Sequence, residues 1–141
     1  MKHFFKVLLG MVAAVLFAGC TVDEGYTPVA FQKLDCTCLE APAKVTKEVI
    51  YNNRQFEKKY KLAASADLED FFIVSVVAPV TGKKTQVKIT EILAGTSILY
   101  VKYRITERGD GGGSQVPHCT VAVSTDYSGH DVAFFDVAQM E

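Results

Sequence analysis

The feature that most constrains the fold of this 141-residue chain is the continuous apolar run Phe71–Val77. A strand with one face in solvent would alternate polar and apolar residues, and this run does not alternate. Pro79 follows closely and ends the run, because proline cannot donate to a sheet ladder. The run therefore predicts a strand that is covered on both faces.

Two other segments alternate with the period of a half-buried strand. They are Gln86–Ile92 and Ile98–Ile105, joined around Ala94, Gly95 and Thr96, and together they predict a β-hairpin. Three more candidate strands are Val45–Tyr51, Cys119–Val123 and Val132–Val137.

One segment of the chain favours an amphipathic helix. Asn52 can cap the first turn, and Gln55 follows three residues later as in a capping box. Phe56, Tyr60 and Ala63 then share one helical face. With one helix among several strands, the sequence predicts an α+β fold: a mostly antiparallel curved sheet, or a small β-barrel or sandwich, with one covering helix.

The first nineteen residues predict a signal peptide. Lys2 and Lys6 form a positive start, and the apolar run Val7–Ala18 is too short to span a bilayer. The run ends in Leu16-Phe17-Ala18-Gly19-Cys20, which resembles the lipobox of bacterial lipoproteins. The resemblance implies cleavage before Cys20, acylation of this cysteine and anchoring in a lipid bilayer.

The residue after the cysteine bears on the destination. The residue that follows Cys20 is Thr21 and not Asp, which is similar to lipoproteins that are sent on to the outer membrane. We therefore expect a protein of the bacterial cell envelope, anchored to the outer membrane on its periplasmic or its external side.

Residues 20–45 show no sustained strand or helix period and contain two prolines, so we expect a tether that precedes a domain at 46–141. Three thiols remain besides Cys20, at Cys36, Cys38 and Cys119. Because the envelope is oxidising, a disulfide from Cys36 or Cys38 to Cys119 is expected. A Cys36–Cys38 bond would close a small, strained ring.

The alternative use of these residues is a metal or enzymatic site. Cys36, Cys38, His118 and Cys119 offer three sulfurs and one imidazole, which zinc accepts as ligands. Neither pair of neighbours has the C-x2-C spacing of structural zinc sites, so we expect no metal and no cofactor.

Several segments resemble the PrcB C-terminal domain family in order along the chain. The matching residues are Val49-Ile50-Tyr51 before Phe56–Tyr60, Asp70–Val77, Thr81-Gly82 before Gln86–Ile92, Leu99–Tyr103, Pro117-His118, Val121–Val123 and Val132–Phe135. The resemblance implies a non-catalytic binding subunit, because the founding members are lipoproteins that associate with a secreted protease and stabilise its complex. The chain departs from the family where a Gly-Gly-Tyr is replaced by Lys84-Thr85-Gln86.

A glycine-rich loop is the candidate partner-binding segment: Gly109, Asp110, Gly111, Gly112 and Gly113. It is either a permissive connection between strands or a mobile tip that becomes ordered when it binds a protein partner. A protease is one candidate partner.

Composition and motifs exclude several other functions. Without Lys2 and Lys6 the formal charge changes from −1 to −3, so no basic field remains for binding nucleic acid. The sequence has no G-x-S-x-G elbow, and Ser128, His130 and Asp131 read as turn residues. We therefore expect a protein that is not an enzyme and acts as a membrane-anchored, protein-binding module.

Overall fold

The computed structural model describes residues 25–63 and 68–140. The predicted signal peptide, 1–19, and the predicted lipidation site, Cys20, lie outside these residues. Within the described part of the chain, no helix is long and apolar enough to cross a membrane.

Ten strands and one α-helix make up the described chain, which is consistent with the predicted α+β class. The strands are β1 (Thr27–Pro28), β2 (Phe31–Lys33), β3 (Cys36–Cys38), β4 (Thr46–Ile50), β5 (Tyr60–Leu62), β6 (Phe71–Val77), β7 (Lys83–Ala94), β8 (Ile98–Asp110), β9 (His118–Ser124) and β10 (Asp131–Asp136). The helix α1 spans Asn53–Lys59, and two short 3-10 turns follow β9 and β10.

The strands form two four-stranded sheets, in the orders β1-β7-β8-β10 and β2-β9-β6-β4, and a separate β3-β5 ribbon. The hairpin predicted around Gly95 is confirmed, because β7 and β8 pair antiparallel and Gly95 N–H donates to the Ile98 carbonyl. Most pairs are antiparallel, but β10 lies parallel to β8. Neither large sheet closes into a barrel within the described chain.

The two large sheets share the main hydrophobic core. It combines apolar side chains of β6 and β9 with those of β7 and β8, including Phe72, Val101 and Val121, each at most 1% exposed. A second core lies on the other face of β6 and β9 and includes Ile73, Ala122 and Phe56 of α1. The prediction that Phe71–Val77 is covered on both faces is therefore confirmed.

The helix begins as predicted but ends earlier. Asn52 Oδ1 accepts a hydrogen bond from the Gln55 N–H at 2.8 Å, which caps the first turn. Tyr60 is extended instead of helical, because Tyr60–Leu62 pairs with Cys36–Cys38 as β5. Phe56 and Tyr60 are both buried, but they reach the second core from a helix and a strand respectively.

The structure differs from the expected tether over residues 20–45. From Gly25 onward this segment is built into the domain: β1 pairs with the end of β7, β2 with β9, and β3 with β5. Val29 and Leu34 are buried in the two cores. The domain therefore includes β1–β3 and does not begin at residue 46.

Candidate functional site

An open cleft of about 440 Å³ lies between the first half of β7 and the segment that connects β8 to β9. Residues Lys83–Val87 line one side, and Gly111–Gly113 and Gln115–His118 line the other. Lys33, at the end of β2, also lines it. The cleft thus brings together three of the five predicted partner-binding residues, Gly111, Gly112 and Gly113, and the segment Lys84-Thr85-Gln86.

Alternate residues of β7 direct their backbone N–H and C=O groups toward β8 or away from it, toward this cleft. The Ile89 N–H donates to Cys119 Sγ at 3.4 Å, so it points away from β8. The β7–β8 register is continuous from Lys84 to Ile89, and antiparallel pairs alternate between hydrogen-bonded and non-hydrogen-bonded. The N–H and C=O groups of Thr85 and Val87 therefore also point away from β8, toward the open edge.

No described strand pairs with this part of the edge. The outer neighbour of β7 is β1, which pairs only with Leu93 and Ala94. The next support is the backbone bond from Val29 N–H to the Ile92 carbonyl, at 2.9 Å. Thr85 and Val87 consequently present an unpaired stretch of strand to the cleft.

The far wall of the cleft is fixed by close backbone packing of a glycine. The Gly112 N–H donates to the Gly82 carbonyl at 3.1 Å. A Cβ at Gly112 would lie 2.2 Å from the Lys83 carbonyl oxygen, so only glycine fits here without displacement. Gly109 and Gly111 have positive φ of 29° and 105°, a backbone region that favours glycine.

This geometry sorts the predicted loop residues. Gly109 and Asp110 are the last residues of β8, and only the chain after them leaves the sheet. Gly111, Gly112 and Gly113 form the cleft wall. Of the predicted loop, Gly109 and Asp110 thus belong to strand β8, whereas Gly111–Gly113 line the cleft and are bonded to the turn at Gly82.

The charge of the cleft is positive. Lys33, Lys83 and Lys84 line it and are exposed, whereas no Asp or Glu is among its described lining residues. The nearest acids in register are Glu107 and Asp110 of β8, and Glu107 Oε2 accepts a hydrogen bond from the hydroxyl of Thr81, a lining residue, at 3.4 Å. Because the formal charge of the whole chain is −1, this positive patch is local.

The structure separates Cys119 from the other residues of the alternative site, Cys36, Cys38 and His118. Cys119 points into the core between the sheets, with Val121 and Val123, whereas Cys36 and Cys38 pack at the second core on the other face. All three cysteines are free thiols, so the structure differs from the expected bond to Cys119. The reason is strand alternation, which directs Cys119 away from the face where β3 lies.

His118 is on that second face, but both of its ring nitrogens have protein partners. Nε2 is 2.9 Å from the Cys36 carbonyl oxygen, and Nδ1 is 2.9 Å from Thr120 Oγ1. Burial lowers the pKa of His118, an effect that the Cys36 carbonyl opposes and Lys33 reinforces. Within the described chain no cluster of His, Cys, Asp and Glu has the geometry of a metal site.

A buried chain of hydroxyl groups was not predicted from the sequence. Ser75 Oγ lies 2.8 Å from both the Tyr60 hydroxyl and Thr120 Oγ1, and Thr120 continues to His118. At the other end the Tyr60 hydroxyl donates to Glu48 at 3.1 Å, and burial raises the pKa of Tyr60. Ser75 and Thr120 are 0% exposed, and the lone polar residues in otherwise apolar strands were the available signal.

The turn residues Ser128, His130 and Asp131 are arranged as a turn. The His130 ring contacts the Gly95 carbonyl through Nε2 at 3.2 Å, and the Asp131 N–H donates to the Ser97 carbonyl at 2.9 Å. The Ser128 N–H donates to the Thr125 carbonyl at 3.0 Å. These bonds hold the connection between β9 and β10 against the β7–β8 hairpin end.

Comparison of the chain with protein-family models, with curated proteins and with solved structures found no match. The resemblance to the PrcB C-terminal domain family therefore stays a prediction.

Proposed function

We propose that this chain is a lipid-anchored protein of the bacterial cell envelope, and that its domain is a non-catalytic module that binds another protein. The observation that carries the binding role is the open, lysine-lined cleft beside the unpaired edge of β7. Free strand edges and charged clefts are features by which domains recognise polypeptide segments.

The anchoring part of the proposal depends on the amino-terminal sequence. Lys2 and Lys6, the apolar run and the Leu16–Cys20 segment together favour processing to an acylated Cys20, and Thr21 favours the outer membrane. Because β1 begins at Thr27, the link from Cys20 to the domain spans seven residues and reaches at most about 25 Å. The domain would therefore be held close to the membrane surface.

The partner proposed from the family resemblance is a secreted or envelope protease, which this protein would stabilise or regulate. The resemblance implies this role, and the cleft offers a place where a partner segment can bind. The lipid bilayer is the second partner, through Cys20.

The anchor is tested by labelling cells with an alkyne analogue of palmitate and fractionating their membranes. We expect label on the wild-type chain in the outer-membrane fraction, and no label on a Cys20→Ala variant. A Cys36→Ala variant is the matched control and should remain labelled. Label that persists in Cys20→Ala, or none in the wild type, would contradict the anchor. Protease treatment of intact cells then separates a surface location from a periplasmic one.

The binding role is tested with the full-length protein purified from detergent-solubilised envelopes after in-cell crosslinking. We expect a protease of the envelope or the secreted fraction to be crosslinked, and its half-life to shorten when this chain is deleted. An unchanged protease half-life together with no reproducible crosslinked protein would refute the proposal.

A further inference from the structure

We propose that the cleft accepts an extended, acidic peptide segment of the partner, which adds as a further strand to the free edge of β7. This inference rests on the proposed binding function and names the chemistry of the segment that is bound. It rests on two features of the cleft: the unpaired backbone groups of β7, and a lining whose charged side chains are all lysines.

The backbone of β7 offers unpaired hydrogen-bonding groups to the cleft. Thr85 and Val87 each direct an N–H and a C=O toward the cleft, with the spacing that a neighbouring strand requires. Four groups on alternate residues can pair with a peptide in extended conformation, as in other cases of strand addition.

The edge is open only over a short length. At one end an irregularity between Ile89 and Glu91 coincides with the bond from Ile89 to Cys119, where β7 meets β9. At the other end the register shifts between Lys83 and Lys84, beside the bond from Gly112 to Gly82. The available stretch is about five residues, or about 17 Å of strand.

The side chains around this stretch indicate which residue types the peptide prefers at alternating positions. Lys84 and Gln86 are exposed on the outer face of β7, whereas Val87 turns inward and Val116 lies across the cleft. Residues of an added strand alternate in the same way. The preferred peptide therefore carries Asp or Glu at the outward positions near Lys84 and small apolar residues at the inward ones.

A second copy of this chain fits the edge poorly. An antiparallel pair of β7 edges in which Thr85 bonds to Val87 of the other copy would place Lys84 opposite Lys88 on both sides. Both lysines are exposed on the same face of β7, and like charges directly opposite each other destabilise a strand pair. The same charges favour an acidic segment.

The test uses the full-length, isotopically labelled protein in detergent micelles and a blocked hexapeptide of alternating Glu and Val. Matched peptides replace Glu by Lys, or carry N-methyl groups on the amides of one edge. We expect the Glu peptide to slow amide hydrogen exchange at Thr85 and Val87 by at least about tenfold, while Gln86, already bonded to β8, is unchanged. The Lys peptide and the N-methylated peptide should give no slowing.

Lys84→Glu is the discriminating protein variant. It should weaken binding of the Glu peptide at least about fivefold, the size expected when an exposed pair of opposite charges becomes a pair of like charges. Lys61→Glu, an equal charge change on the exposed face of β5, is the control and should bind as the wild type does.

Three results would overturn the inference: equal binding of the Glu and Lys peptides, tight binding of the N-methylated peptide, or no slowing at Thr85 and Val87. None of them depends on the native partner. A failure here combined with a crosslinked protease would therefore remove strand addition and leave the proposed function, whereas the reverse combination would remove the protease.

Discussion

Replacement of Gly112 by alanine is the sharpest test of how the cleft wall is built. The new Cβ would lie 2.2 Å from the Lys83 carbonyl oxygen, 2.6 Å from its carbon and 2.9 Å from the Gly82 carbonyl carbon. All three are backbone atoms, so no side-chain rotation can relieve the contact. The segment must move away from the turn at Gly82.

The magnitude follows from what that movement breaks. The bond from the Gly112 N–H to the Gly82 carbonyl is lost, which costs about 1 kcal/mol. Residual overpacking adds up to about 1 kcal/mol, at the low end of its range because the neighbouring residues Gly111 and Gly113 are not buried. A loss of about 1–2 kcal/mol in the free energy of unfolding would lower the melting temperature by about 4–10 °C.

Gly113→Ala is the matched control, because the nearest heavy atom to its Cβ is 3.9 Å away and its φ is not positive. Both variants are measured by thermal and urea unfolding, with amide spectra to locate the change. We expect Gly113→Ala to unfold as the wild type does, and Gly112→Ala to shift the amides of Gly82 and Lys83. Equal stability of the two variants, or an unmoved turn in Gly112→Ala, would refute the close packing described above.

Three further outcomes concern the buried groups. Ser75→Ala removes two hydrogen bonds at a 0% exposed site and should lower the free energy of unfolding by about 2 kcal/mol in urea, whereas Ser128→Ala in an exposed turn should not. Burial lowers the pKa of His118 in the folded state, so below pH 6.5, the ordinary pKa of histidine, the unfolded chain binds more protons than the folded one. The free energy of unfolding should therefore fall from pH 7 to pH 5. A His118→Gln variant whose free energy of unfolding falls equally steeply with pH would contradict this. In native alkylation followed by mass spectrometry, the half-buried Cys36 should react before Cys119, which is 3% exposed; simultaneous modification would argue against the burial of Cys119.

The strands that could be predicted from the sequence are those whose environment is recorded locally. The run of β6, apolar except for Ser75, indicates two covered faces, and the alternation in β7 and β8 indicates one. The end of α1 is different. Tyr60 continues the helical spacing of Phe56, but its backbone pairs with Cys38, a contact between segments that no local period records.

The error over residues 20–45 has a related cause. Strands of two or three residues, such as β1 and β2, are too short to show a period of two, and prolines in this segment suggest a linker. Pro28 is nevertheless a strand residue, at the sheet edge where a missing N–H is tolerated.

Only one wall of the candidate site could be predicted from the sequence. Glycines at 111–113 mark a segment with unusual backbone needs, and they do form one wall of the cleft. The lysines and the free edge opposite could not be predicted, because they depend on how little of β7 is paired by β1 and on where β7 meets Cys119. Each of these is a long-range contact.

The position of the cleft along the β7–β8 hairpin fits the proposed anchor. The chain enters the fold at β1, beside Leu93 and Ala94, whereas Thr85 and Val87 lie toward the other end of β7. Between Val87 and Ala94 the strand rises by about 23 Å, and between Thr85 and Ala94 by about 30 Å. A link of seven residues from an acylated Cys20 would hold the β1 end of the domain near the bilayer. The cleft at the opposite end of the hairpin would then remain accessible to a protein partner that is not itself in the membrane.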